Sequence, residues 1–234
     1  ETSVAGTYSV IITDPLTGCA SEIAEGIVTV NPLPVVTVNS PVVCEGTPAT
    51  ITATPGAAGT YDYLWSVPDG VADPGNVASF ETSVAGTYSV IITDPLTGCS
   101  SEIAEGIVTV NPLPVVTVNS PVVCEGTPAT ITATPGAAGT YDYLWTVPDG
   151  VADPGNVASF ETSVAGTYSV IITDQITGCA SAPAEGTVTV NPLPVVTVNS
   201  PVVCEGTAAT ITATPEAAGT YDYLWTVPDG VADP

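Results

Sequence analysis

Apolar and polar residues alternate with a period of two along short runs, and Gly, Pro or Asp ends almost every run. Within residues 31–110 this pattern predicts a strand over 35–38 that continues towards Val43. A second covers 49–54, with Ala49, Ile51 and Ala53 on one face and Thr50, Thr52 and Thr54 on the other. A third covers 61–67 and sets Tyr61, Tyr63 and Trp65 on one face. Residues 68–76 are rich in turn formers, and 77–82 give a short strand. Another spans 86–93 with Tyr88, Val90 and Ile92 in phase, 94–98 form a hairpin loop, and 105–110 form the last strand. Helix signals are nearly absent, because 23 Pro and 22 Gly interrupt runs of Val, Thr and Ile.

The pattern repeats. Residues 1–80 and 81–160 align without gaps and differ only at Ala20 against Ser100 and Ser66 against Thr146, which fixes a period of 80 residues. That length suits a small independent β domain better than a solenoid unit. An Asn-Pro-Leu-Pro element at 31–34 recurs at 111–114 and 191–194. Its prolines stiffen a short connection and withhold backbone donors, as a domain boundary requires. Complete domains are therefore expected at 31–110 and 111–190. Residues 1–30 form the C-terminal half of a domain and 191–234 the N-terminal half of another. The flanks lack only counterparts of 155–160. The chain opens in mid-pattern without Met, so it reads as a window on a longer polypeptide, with any secretion signal outside it. The alternative is a subunit whose ends complete one another.

Seven or so short strands, with a Trp on the third and a Tyr opening the sixth, indicate an all-β fold of tandem Ig-like β-sandwiches in a linear array. The Ala85-Gly86-Thr87-Tyr88-Ser89-Val90 stretch, a Thr-Asp turn and Gly98-Cys99 resemble the end of a PKD/Ig-like repeat. Together with Val43-Cys44-Glu45-Gly46, Tyr63-Leu64-Trp65 and the Val108-Thr109-Val110-Asn111-Pro112 exit, they are similar to repeats of large Bacteroidota cell-surface proteins, including SprB-type gliding adhesins. The resemblance covers essentially the whole chain. It implies display on the bacterial cell surface, through type IX secretion. Trp65 and Trp145 are expected in the cores, and Tyr88 and Tyr168 in the structural role of a tyrosine corner.

Six cysteines form two series, Cys19, Cys99 and Cys179 after a hairpin and Cys44, Cys124 and Cys204 after the first strand. Even number, strict period and no CxxC spacing favour disulfides over zinc. Alternating strand direction sets Cys44 and Cys99 at opposite ends of one sandwich, too far apart for bonded cysteines. It points to Cys44 with Cys179, leaving Cys99 and Cys124 to pair beyond that joint. The alternative is the ordinary intradomain pairing, Cys44 with Cys99 and Cys124 with Cys179.

Composition narrows the function. The chain has 24 Asp and Glu and no Lys, Arg or His, a formal net charge of −24. Without cations it cannot neutralise nucleic-acid phosphates or anionic lipid, so neither is an expected partner. Triads with His and sites with a catalytic Lys are excluded outright. No apolar run is long enough to span a bilayer as a helix. Carboxylates alone could do acid–base chemistry, and no pair stands out for it, so no enzyme activity and no cofactor are expected. Asp69, Asp73 and Asp94 could hold Ca²⁺, but Asp beside Gly or Pro is also an ordinary turn residue. The Tyr61, Tyr63, Trp65 stripe could stack on sugar, with a core role the stronger reading.

Repeats differ most around the hairpin after the sixth strand, at Gln175, Ile176, Ala180, Ala182 and Pro183, which reads as a tolerant surface loop. Thr187 in place of Ile107 implies an outward position. The expected role is a structural repeat segment of an extracellular surface filament, stalk or sheath, whose partners are copies of itself, end to end and laterally. Adhesin repeats that bind glycans or surfaces directly are the alternative.

Overall fold

The computed structural model describes residues 1–232, and its regular elements are all strands. No helix among the described residues is long and apolar enough to cross a membrane. The chain divides into two compact units. The first is Glu1–Leu113 with Asp174–Ala180, and the second is Pro114–Thr173 with the chain from Ser181 onward.

In the first unit a hairpin of β1 (Gly6–Val10) and β2 (Ala24–Val28) is followed by β3 (Val36–Val38), β4 (Val42–Cys44), β5 (Ala49–Pro55), β6 (Asp62–Ser66), β7 (Ser79–Thr82), β8 (Gly86–Thr93) and β9 (Ala104–Asn111). One sheet has the order β3-β5-β7 and the other β4-β9-β8-β6. All pairs are antiparallel except β4 with β9, which run parallel with Val42 opposite Thr109 and Cys44 opposite Asn111.

The period-two pattern makes the core. Ala49, Ile51 and Ala53 from one sheet meet Trp65, Tyr88, Val90, Ile92 and Val108 from the other. Phe80 is packed edge-on to Trp65 with centroids 5.0 Å apart, a geometry aromatic pairs favour. Buried polar atoms find partners: the Trp65 indole N–H donates to the Val77 carbonyl at 2.8 Å, and no buried side-chain donor or acceptor is orphaned among the described residues.

The first strand departs from expectation. It does not continue to Val43 but breaks at 39–41, and its two pieces join different sheets. The Asn39 side chain takes over the ladder there, donating Nδ2–H to the Thr50 carbonyl at 2.9 Å and accepting the Thr52 N–H at 2.7 Å. Ser40 Oγ and the Pro41 carbonyl then accept from the Ile107 and Thr109 amides, which carries the chain across to β9.

The second unit repeats this with β10 (Val116–Val118), β11 (Val122–Cys124), β12 (Ala129–Pro135), β13 (Tyr141–Thr146), β14 (Ser159–Thr162), β15 (Gly166–Asp174) and β16 (Ala184–Asn191), in sheets β10-β12-β14 and β11-β16-β15-β13. Its core holds Trp145 and Tyr168 in the places of Trp65 and Tyr88. A pair of short strands follows, β17 (Val196–Val198) and β18 (Ala213–Pro215).

Candidate functional site

Cys44 is bonded to Cys179, with Cα atoms 5.6 Å apart and 135 residues between them in sequence. Both residues lie in the first unit, to which the tip of the β15–β16 hairpin belongs. Local structure holds each half of the pair. Cys44 ends β4, where Glu45 N–H donates to the Asn111 carbonyl at 2.8 Å. The next turn closes through Thr47 N–H on the Cys44 carbonyl at 3.0 Å, with Gly46 at φ 83° supplying the left-handed residue.

Cys179 is fully buried and is aimed by Asp174. The Asp174 carboxylate accepts the Ile176 and Thr177 amides at 2.7 and 3.0 Å, while its backbone amide donates to the Cys179 carbonyl at 2.9 Å. These donors, the Thr177 amide first, hold the carboxyl below its ordinary value of 3.8. The equivalent Asp94 and Asp14 are lowered in the same way, by the Leu96 and Leu16 amides first. Asp at this position is therefore a loop-forming residue in all three copies. Cys19, Cys99, Cys124 and Cys204 are free thiols, three exposed and Cys99 half-buried.

The remaining sequence candidates fall elsewhere. Asp73 accepts the Gly75 amide at 2.9 Å, and Asp94 accepts the Leu96 amide at 2.8 Å, so both cap turns. Among the described residues no three Asp, Glu, Cys or His side chains lie together as metal ligands, and Asp69, Asp73 and Asp94 do not converge. Trp65 is buried against Phe80, with Tyr63 and Tyr61 half-buried beside that core, so the stripe presents no flat stacking face. Tyr88 donates its hydroxyl to the Val84 carbonyl at 2.8 Å and accepts from Thr82 Oγ1 at 2.8 Å, the tyrosine-corner bond.

Two features escaped the sequence reading, save for the outward position of Ile107. Asn76 bridges its loop to β6, accepting the Tyr63 amide at 2.7 Å and donating to Asp62 Oδ1 at 2.8 Å. The outward face of the β4-β9-β8-β6 sheet carries Val42, Leu64, Ile103 and Ile107, all exposed, with Leu64 at 70%. In the second unit Val122 and Leu144 hold two of these positions, and Pro183 and Thr187 replace the isoleucines.

No family model matches the chain, and no curated protein matches it. Among solved structures it is similar to the I-band fragment I67–I69 of titin, at 14% identity over 70% of this chain and 68% of that one, with a TM-score of 0.42. Domains 3–5 of the extracellular region of Drosophila OTK are similar at 15% identity over 80% and 71%, with a TM-score of 0.42. The four N-terminal Ig domains of Dscam1 are similar at 15% identity over 79% and 54%, with a TM-score of 0.30. The strand order itself defines the class. A three-stranded antiparallel sheet and a four-stranded sheet whose edge pair is parallel, a first strand shared between them, a Trp–Phe core and a tyrosine corner make each complete repeat an Ig-like β-sandwich. The chain is a tandem Ig-like repeat protein.

Proposed function

We propose that this chain is a structural repeat segment of an extracellular bacterial surface filament, stalk or sheath. The observation that supports the reading best is the Cys44–Cys179 bond, which ties one 80-residue repeat covalently to the next. A spacer that only needed folded domains would gain nothing from a tie reaching across repeats, whereas one under tension gains resistance to extension. The bond also fits an oxidising compartment. Assignment to the cell surface of Bacteroidota is supported by the sequence motifs quoted above. The missing catalytic cations and the carboxylates committed to turns argue against an enzyme.

Force spectroscopy on the single chain tests this. The oxidised chain should withhold its 135-residue loop from extension, and reduction should release about 470 Å of contour at ~3.5 Å per residue. Equal extension before and after reduction would sink the reading.

The outward apolar face around Leu64 favours a second reading, adhesin repeats that contact a surface or glycan directly. Saturable binding to a defined glycan, lost in Leu64→Asp, would favour it over the structural role.

A further inference from the structure

In the first complete domain the sheet β4-β9-β8-β6 turns Tyr63, Trp65, Val90 and Ile92 inward, and the alternate residues of its strands face out. Leu64, Ser66, Ser89, Ile91 and Ile103 line an open groove of about 260 Å³ on that outer side. The register builds it: Leu64 stands opposite Ile91 across β6 and β8, and Ser89 opposite Glu105 across β8 and β9. An apolar cavity of about 150 Å³ takes a benzene ring. The groove therefore takes one aromatic or branched side chain with room around it.

Its rim is acidic. Glu105 faces out beside Ser89, Asp62 lies on the same face of β6 as Leu64, and exposed Glu102 precedes Ile103. The sequence holds no Lys, Arg or His to oppose them. Asp62 is engaged by the Asn76 amide, which leaves Glu102 and Glu105 as the charges a ligand meets. Covering a carboxylate costs free energy unless the partner brings a counter-charge. A second copy of this chain brings only further carboxylates. A glycan meets no exposed ring in the groove, because Tyr63 and Trp65 belong to the inward side of β6.

The second complete domain supplies a contrast. Ala182, Pro183 and Thr187 hold the places of Glu102, Ile103 and Ile107. One acid and both isoleucines are thus replaced together, while Leu144 stays exposed in the place of Leu64.

We propose that this outer face of the first complete domain docks a basic polypeptide segment. A central aromatic or branched side chain of the segment enters the groove, and flanking Lys or Arg residues pair with Glu102 and Glu105. The apolar anchor supplies affinity, and the charges steer the encounter and select the partner. The proposal rests on the second reading above, in which the Leu64 face is a contact surface, and adds the chemistry of what it contacts.

The probe is a fluorescein-labelled peptide, Ser-Lys-Ser-Phe-Ser-Lys-Ser, titrated with the full oxidised chain and followed by anisotropy. Saturation at one peptide per chain is expected. Leu64→Ser should weaken binding about tenfold or more, the usual cost of losing an anchor, whereas Leu144→Ser should leave it unchanged. A peptide with Glu in place of both Lys should not bind. Binding should weaken between about 0.15 and about 1 M salt, as the Debye length falls from ~8 to ~3 Å. The pair Glu102→Gln and Glu105→Gln should remove most of that salt dependence. Ala182→Glu, Pro183→Ile and Thr187→Ile together should add a second site. All these positions are exposed, so the variants keep their cores.

Absence of binding, equal binding of the Lys and Glu peptides, indifference to Leu64→Ser, equal weakening by Leu144→Ser, or a graft that adds no site would each overturn the proposal. Glycan capture through Leu64 without peptide binding overturns it and leaves the adhesin reading standing. Self-association lost in Leu64→Ser assigns the face to a second copy and overturns it as well.

Discussion

Gly106 lies bare against Asn39: a Cβ built on Gly106 would overlap the Asn39 carbonyl oxygen and the Val38 side chain. The contact exists because Gly106 pairs with Tyr88 across β8 and β9 at the point where the first strand breaks between sheets. Gly106→Ala should therefore destabilise its domain by about 1–3 kcal/mol, the usual cost of overpacking. Gly26, the same position on the N-terminal flank, meets nothing within 4 Å, so Gly26→Ala should leave the melting profile unchanged. Denaturant unfolding of the two variants checks both.

Removing the Tyr88 hydroxyl strands two groups at once. Tyr88→Phe leaves the Val84 carbonyl without its donor and Thr82 Oγ1 without its acceptor. A loss of about 1–3 kcal/mol is expected, readable as a lower urea midpoint at unchanged slope.

Reduction should act through the unfolded chain. Opening a 135-residue loop restores entropy equivalent to roughly 5 kcal/mol in the chain-entropy model. Cys179→Ser in the oxidised protein should lower the melting temperature as much as a reducing agent lowers that of the parent. A reducing agent should then have no further effect on the variant.

Acid should loosen the hairpin tips before the cores. Asp14, Asp94 and Asp174 have folded-state values below the ordinary 3.8, so the unfolded state binds their protons more tightly. Their contribution is complete above the ordinary value and falls away as pH drops through it towards the lowered one. Hydrogen exchange at the Leu96 and Ile176 amides should accelerate in that window, while Val90 and Val170 stay protected. The variants Asp94→Asn and Asp174→Asn should flatten the response.

Trypsin should leave the chain intact even when it is unfolded, because it contains no Lys or Arg. A protease specific for Glu and Asp should cut the unfolded chain readily, and gel electrophoresis separates the two outcomes.

Much of this architecture is legible from alternation alone. Ile51, Tyr88, Val90 and Ile92 are buried where period two places them, since a strand with one covered face shows that face in its sequence. The strand break at Asn39 is not legible there. Residues 35–43 are apolar on either side of it, and both pieces bury valines, so hydrophobicity does not say which sheet each joins. The decision lies with an amide side chain that imitates backbone. Leu64 is obscure for a related reason: an apolar residue on the outer face looks like an interior one until the neighbouring strands are known, whereas Ile107 is legible as outward because Thr187 stands in its place in the next repeat. The cysteines needed strand direction as well as spacing, since period alone relates all three members of a series equally.

The 135-residue span closed by Cys44 and Cys179 is longer than the 80-residue period. Wherever that bond recurs with the repeat, successive covalent rings overlap like the links of mail. A single backbone scission within such an array opens one or two rings and parts none of the material. Wear then accumulates as nicks rather than as breaks.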